Sequence, residues 1–343
     1  MERRRMGSSG VSVSTLALGT MTFGAESPAE ESLAMLDTYV EAGGNFIDTA
    51  DVYADGVSEE IVGEWLRSRP REITREMVLT TKGRFSTSAL GGSFGASRRH
   101  LRRALTESLR RLRVDHIDLY IVHSWDPITP VEETMDFLDR AVSDGLIGYG
   151  GISNYLGWQV QRAVRACDAR GLRRPVMLQP SYSLLRREAE WEMLPSAADA
   201  GLGVMAWSPL AGGWLTGKYS RDGAPTGTTR LGENPQRGIE AYDRIARDER
   251  TWEILDALRQ VAADNDTTPA NVALAWVVAQ PGITTAILGA RTVGQLRANL
   301  AAASLTLAPE HLADLTAISI PRTGPWPYGP DGVAQRSRGV GEG

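Results

Sequence analysis

Two rhythms of apolar positions alternate along the chain: short runs with the period of a strand, and longer stretches with the period of a helix. Residues 11–13 and 16–18 read as a short hairpin leading into a first core strand. That strand ends at Gly19-Thr20, where a backbone can approach a ligand closely. Further strand-like runs end at Asp48, Lys82, His123, Ser153-Asn154, Gln179, Trp207-Ser208 and Gly289. Helical spacing fills the intervals: Leu33, Leu36 and Val40 form one buried face, and Ile61, Val62, Trp65 and Leu66 a second. Leu101, Ala104, Leu105, Leu109 and Leu112 form a third, with arginines opposite. Ser27-Pro28-Ala29-Glu30 and Thr129-Pro130-Val131-Glu132 read as capping boxes that open helices, Ser27 being the N-cap of the first. Three stretches break the rhythm: a Gly/Ser-rich loop over 83–97, a long loop over 211–245, and a Pro/Gly-rich tail from Pro321.

Strand followed by helix, repeated to a count of eight strands, predicts parallel strands joined by right-handed crossovers. With no second domain's worth of sequence left over, the expected fold is an α/β protein, a closed (β/α)8 TIM barrel over residues 1–320, followed by an irregular tail over 321–343. A doubly wound open sheet is the alternative. Its glycine fingerprint is matched only by Gly201-Leu-Gly203-Val-Met-Ala206, which precedes a strand instead of opening a helix, so it carries little weight.

Composition narrows the function classes. The 343 residues are 42% apolar and 23% charged with a net charge of −5, and no basic block points to nucleic acid. No apolar run approaches the ~20 residues that span a bilayer. The basic start has no continuous apolar run behind it, so a signal peptide is not expected, and the location expected is cytoplasmic. The single cysteine, Cys167, sits in an apolar helical stretch and reads as a small core residue. With it and four scattered histidines, no metal-ligand cluster is predicted. Arginine carries nearly all the positive charge; the only lysines are Lys82 and Lys218.

Candidate chemistry lies at the strand ends, where barrels of this kind place their active sites. Asp48, Lys82 and His123 end three successive strands, and Tyr53 follows in the loop after Asp48. Lys82 can favour the phenolate of Tyr53 and lower its pKa, Asp48 can pair with Lys82, and His123 can orient a carbonyl oxygen. Alone, each has a plainer reading: a strand-end aspartate as N-cap, a loop tyrosine as packing, a lysine as surface charge. Together they suit proton transfer to an oxygen that gains negative charge, as in carbonyl reduction. No Gly-x-Ser-x-Gly, Cys/His pair or Tyr-x-x-x-Lys competes.

These residues and their surroundings resemble the aldo-keto reductases. The resemblance rests on Asn45-Phe-Ile-Asp48-Thr-Ala-Asp-Val-Tyr53, Thr81-Lys82, His123-Ser-Trp-Asp126, Gly151-Ile-Ser-Asn154, Leu178-Gln179-Pro180 and Trp207-Ser-Pro-Leu210, from Gly19 to about Asn299. It implies a catalytic tetrad of Asp48, Tyr53, Lys82 and His123 with Tyr53 as proton donor. It also implies a nicotinamide cofactor, NADPH in preference to NADH, held by Gly19, Thr20, Ser153, Asn154, Gln179, Trp207, Ser208, Leu210, Gly212, Lys218, Gly289, Arg291, Gln295 and Asn299. Trp207 offers a flat face for a nicotinamide, and Arg291, at the start of the last helix, suits a 2′-phosphate. Gly289 stands where many relatives carry a lysine, so NADP preference rests mainly on Arg291. Met21, Phe23 and Trp125 are the expected walls of the pocket for a small-molecule carbonyl substrate. Two other functions stay open: a dedicated reductase of a nucleotide-linked keto-deoxysugar, and a non-catalytic NADPH-binding regulatory subunit. The physiological carbonyl and the oligomeric state are not legible in the sequence.

Overall fold

A computed structural model describes residues 1–85, 95–221, 223, 225–227 and 229–338. Eight parallel strands close into a barrel: β3 (Leu16–Gly19), β4 (Phe46–Asp48), β5 (Val78–Gly83), β6 (Ile117–Val122), β7 (Ile147–Ser153), β8 (Met177–Gln179), β9 (Gly203–Ala206) and β10 (Ile283–Leu288), with β10 returning to pair with β3. Each expected core strand is present. The hairpin is built differently from the expectation. Residues 11–13 do not pair with 16–18. Instead β1 (Arg3–Arg5) pairs antiparallel with β2 (Ser12–Ser14), and 16–19 is barrel strand only. The arginine run is thus structural: the Arg4 guanidinium donates to the carbonyls of Val278 and Ile283 at 2.7 and 2.8 Å, which fastens the hairpin at the start of β10.

Side chains alternate along the strands, and this parity sets the site. One buried cluster joins Ala17, Phe46, Val78, Leu119, Ile121, Met177, Met205 and Ile287, every second residue of seven strands. With it are Met6 and Val13 from the hairpin, which plug the floor. The intervening residues Leu18, Ile47, Leu79, Tyr120, Leu178, Val204, Ala286 and Leu288 belong to a second cluster that the surrounding helices cover. Continued toward the carboxyl ends, by two residues in most strands and by four in β5, the inward parity passes through Asp48, Lys82, His123, Gln179, Trp207 and Gly289. The register aligns Gly19 with Asp48, Lys82 with Ile121 and Ser153 with Gln179, so these ends lie at one mouth.

Two helix boundaries differ from the expectation. The helices Ala29–Glu41 and Val131–Ser143 have Pro28 and Pro130 as N-caps, with no side-chain cap. Ser27 donates instead to the Arg291 carbonyl at 3.0 Å, a tertiary acceptor, and Thr129 to Asp126 at 2.6 Å, a carboxylate in its own loop. The Pro/Gly-rich tail, expected irregular, holds one short helix, Pro330–Ser337. Thr268 and Thr292 do cap their helices, each side chain accepting a backbone N–H of the first turn. Cys167 is fully buried and burial pushes its thiol up to about 12, in keeping with a core role. No described helix is long and apolar enough to cross a membrane.

Candidate active site

The strand-end residues converge. Lys82 Nζ lies 2.8 Å from Asp48 Oδ2, 3.2 Å from the Tyr53 hydroxyl and 2.7 Å from the Thr49 carbonyl. Lys82 and Asp48 are almost wholly buried, and a buried charge pair needs its remaining hydrogen bonds satisfied. Gln179 supplies one, its amide donating to Asp48 Oδ1 at 3.0 Å. Burial alone would pull the Lys82 ammonium down; Asp48 and then Tyr53 oppose it and leave it above its ordinary value, so the amine stays charged.

Tyr53 opens a short 3-10 turn, Tyr53–Gly56, that follows β4. Burial raises its phenol above the usual value, and the Asp48 carboxylate adds to that; Lys82 pulls the other way but less. The expected net lowering of this pKa is therefore not seen, and Tyr53 is a protonated phenol held against an ammonium. His123 stands edge-on to Tyr53, ring centres 6.1 Å apart, and to Phe85 at 4.9 Å. Burial, then Lys82 and Arg84, holds its imidazole well below the ordinary range, so it is neutral. Its Nδ1 is buried without a hydrogen-bond partner.

The expected cofactor residues divide into groups. Asn154 donates to the His123 carbonyl at 3.1 Å and accepts from the Trp207 indole at 3.1 Å, which fixes the tryptophan beside the catalytic cluster. Ser153 is buried and its hydroxyl donates to the Gln179 carbonyl at 2.8 Å, while Gln179 holds Asp48. Both therefore already serve the strand ends. Thr20 is buried, bonded to Ser58 at 2.8 Å, and a Cβ on Gly19 would meet Ile287 at 2.6 Å, so Gly19 serves strand packing more than ligand approach. Ser208 donates to Glu240 at 2.8 Å, and Leu210 packs partly buried against the core.

A second cluster lies around the start of the helix Val293–Leu300. Its N-terminus is not a vacant anion site: Thr292 accepts from the Gln295 N–H and Glu31 from the Val293 N–H, at 3.2 and 2.5 Å. Gln295 accepts from the Arg291 N–H at 2.9 Å, and Asn299 donates to the Gly289 carbonyl at 3.5 Å. The Arg291 guanidinium donates to Glu26 at 2.6 Å and to both oxygens of Glu233 at 3.2 and 2.9 Å. Arg237 reaches the same Glu26 at 2.5 Å, and Arg230 pairs with Glu240 at 3.3 Å. Partial burial, then Arg291 and Arg230, hold the Lys218 ammonium below its ordinary value. Sequence reading missed Glu26, Arg230, Glu233, Arg237 and Glu240. For the last four the signal was the Arg/Glu pattern inside a stretch read only as a long loop.

This donor set fits a nicotinamide dinucleotide. The Trp207 indole is partly exposed and fixed in orientation, the Lys218, Arg230 and Arg291 cations lie near one another and could neutralise phosphates, and a Cβ built on Gly289 would meet no atom of the described residues within 4 Å.

Exposed apolar side chains follow the other strands. Met21, Val57, Phe85, Ile128, Leu156 and Trp158, all exposed, lie in the segments after β3 to β7. Trp125 stands behind them, edge-on to Tyr155 at 5.1 Å and to Trp158 at 5.4 Å. Phe23, expected as a pocket wall, is fully buried in the core, because its loop folds back onto the helix layer. Residues 86–94 of the Gly/Ser-rich loop lie outside the described residues.

Comparison with known proteins gives the same picture. A family model described as Aldo/keto reductase family matches residues 15–320. The chain is 37% identical to the uncharacterized oxidoreductase YrpG of Bacillus subtilis, over 93% of this chain and 96% of that protein. It is 33% identical to a norsolorinic acid reductase of Aspergillus flavus, over 90% and 78%. It is 32% identical to a probable voltage-gated potassium channel subunit beta of Arabidopsis thaliana, over 88% and 91%.

Proposed function

The chain belongs to the aldo/keto reductase family, and from that premise we propose that it reduces an aldehyde or ketone to the alcohol with NADPH, using Tyr53 as the proton donor. The observation that carries the reading is the single Lys82 ammonium held 2.8 Å from Asp48 and 3.2 Å from the Tyr53 hydroxyl at the barrel mouth. The cofactor, when bound, supplies the hydride. The Tyr53 hydroxyl donates the proton to the oxygen that gains charge, and Lys82 stabilises the phenolate that remains. Asp48, held by Gln179, keeps Lys82 charged and aimed. Neutral His123 carries one ring N–H with which to orient the carbonyl oxygen. The apolar rim after β3 to β7 suits a substrate with an apolar body, and the polar side around Lys218, Arg230 and Arg291 suits the cofactor.

A second reading, a cofactor-binding regulatory subunit without turnover, is favoured by the relative named as a channel subunit beta. Steady oxidation of NADPH with a panel of aromatic aldehydes, ketones and keto-sugars separates the two. Sustained turnover supports the reductase; cofactor binding with no turnover across the panel supports the regulatory subunit.

A further inference from the structure

The Arg291 guanidinium, the expected partner of a 2′-phosphate, is already held by two carboxylates. Glu26 and Glu233 differ in what they can do. Glu26 is clamped between Arg291 and Arg237, and its side chain is 19% exposed. Burial opposes its ionisation, but Arg237 and Arg291 outweigh that and keep the carboxyl below its ordinary range. Glu233 is 48% exposed and ends a short helix, Arg230–Glu233, within the long loop. It meets Arg291 with two oxygens on two nitrogens, the fork geometry with which a guanidinium also takes a phosphate. Arg297, two residues past Gln295, makes no ion pair among the described residues, so Arg291 is the paired cation at this helix start.

We propose that Glu233 is a specificity residue: an internal anion that occupies Arg291 in the free protein and competes with the cofactor's 2′-phosphate for it. The inference rests on the cofactor reading above. Glu26, fixed by its second arginine, stays; Glu233, half exposed, is the group displaced. A dinucleotide without the 2′-phosphate leaves the Glu233–Arg291 pair in place and loses nothing to it. The pair therefore weakens binding of the phosphorylated cofactor alone and narrows its advantage over the unphosphorylated one.

The test is calorimetric titration of the full chain with NADPH, NADH, adenosine 2′,5′-bisphosphate and adenosine 5′-monophosphate. The variants are Glu233→Gln and, as a matched change of net charge, Glu253→Gln on the exposed side of the helix Glu249–Asp264. Glu233→Gln tightens NADPH and the bisphosphate by about fivefold, as loss of a partly exposed ion pair worth about 1 kcal/mol predicts. NADH and the monophosphate change less than about twofold on the same argument. An unchanged ratio of NADPH to NADH affinity, or an equal change in Glu253→Gln, overturns the proposal while the cofactor reading stands. Failure of the unmodified chain to bind either dinucleotide overturns both.

Discussion

At Tyr53 two influences act against each other: burial and Asp48 hold the proton on, and Lys82, 3.2 Å away, favours its release. The first wins in the free protein, so the residue is poised as a donor. Neither Tyr53 nor His123 then titrates near neutrality, since the phenol lies above its usual value and the imidazole well below its own. The expected outcome is a kcat/KM for reduction that is not lost by titration of either group through neutrality and falls only in the alkaline range beyond tyrosine's ordinary value of about 10, as Tyr53 loses its proton. A loss of activity between about pH 7 and 8 would contradict it. Asp48, Lys82 and His123 were legible in the sequence because a strand's period of two carries inward parity to its end. Gln179 was legible as a strand end, but not as the partner of Asp48, because the two are 131 residues apart and only barrel closure joins them. Phe23 was misread for a related reason: position after a strand end does not say whether a loop turns to the mouth or back into the core.

The turn after β4 is an element with its own electrostatics. The Asp51 backbone donates to the Lys82 carbonyl at 3.1 Å, but both carboxyl oxygens are buried without a hydrogen-bond partner among the described residues. Burial, reinforced by Glu59, pushes this carboxyl up to about 7. A folded pKa above the unfolded one means the folded state holds the proton more tightly. Stability is therefore unaffected below about pH 4, falls as pH rises from about 4 to about 7, and stays lowered above, by a few kcal/mol at ~1.4 kcal/mol per unit. Asp51→Asn should match the parent's melting temperature near pH 4 and exceed it clearly at pH 8; equal melting at pH 8 would contradict the account. The elements least legible were those that depend on distant partners. Residues 3–5 become a strand only against 12–14, and Ser27, expected as a cap, finds a tertiary acceptor instead. Likewise the Arg/Glu pairs of 230–240 have meaning only beside Glu26 and Arg291.

Taken whole, the molecule is a barrel with a plugged floor and a divided mouth. The floor depends on Gly7, whose φ is +55° and where a Cβ would meet the Val176 carbonyl oxygen at 2.0 Å. Gly7→Ala should destabilise by about 2 kcal/mol or more through backbone strain and displacement, lowering the melting temperature by several degrees, with activity per folded molecule unchanged. A melting temperature equal to the parent's would show that the hairpin does not close the floor. The eightfold alternation was legible because each strand and helix announces its period locally. The division of the mouth was not, since it depends on which loops gather at one end. The claim at the centre is that Tyr53 delivers the proton. It is tested most directly by Tyr53→Phe, with turnover of one aldehyde followed by NADPH consumption and cofactor affinity measured on the same preparation. The account predicts a fall in kcat of roughly 10²–10⁴-fold with cofactor affinity within about twofold of the parent's. Turnover within a few fold of the parent's, at unchanged affinity, would contradict it.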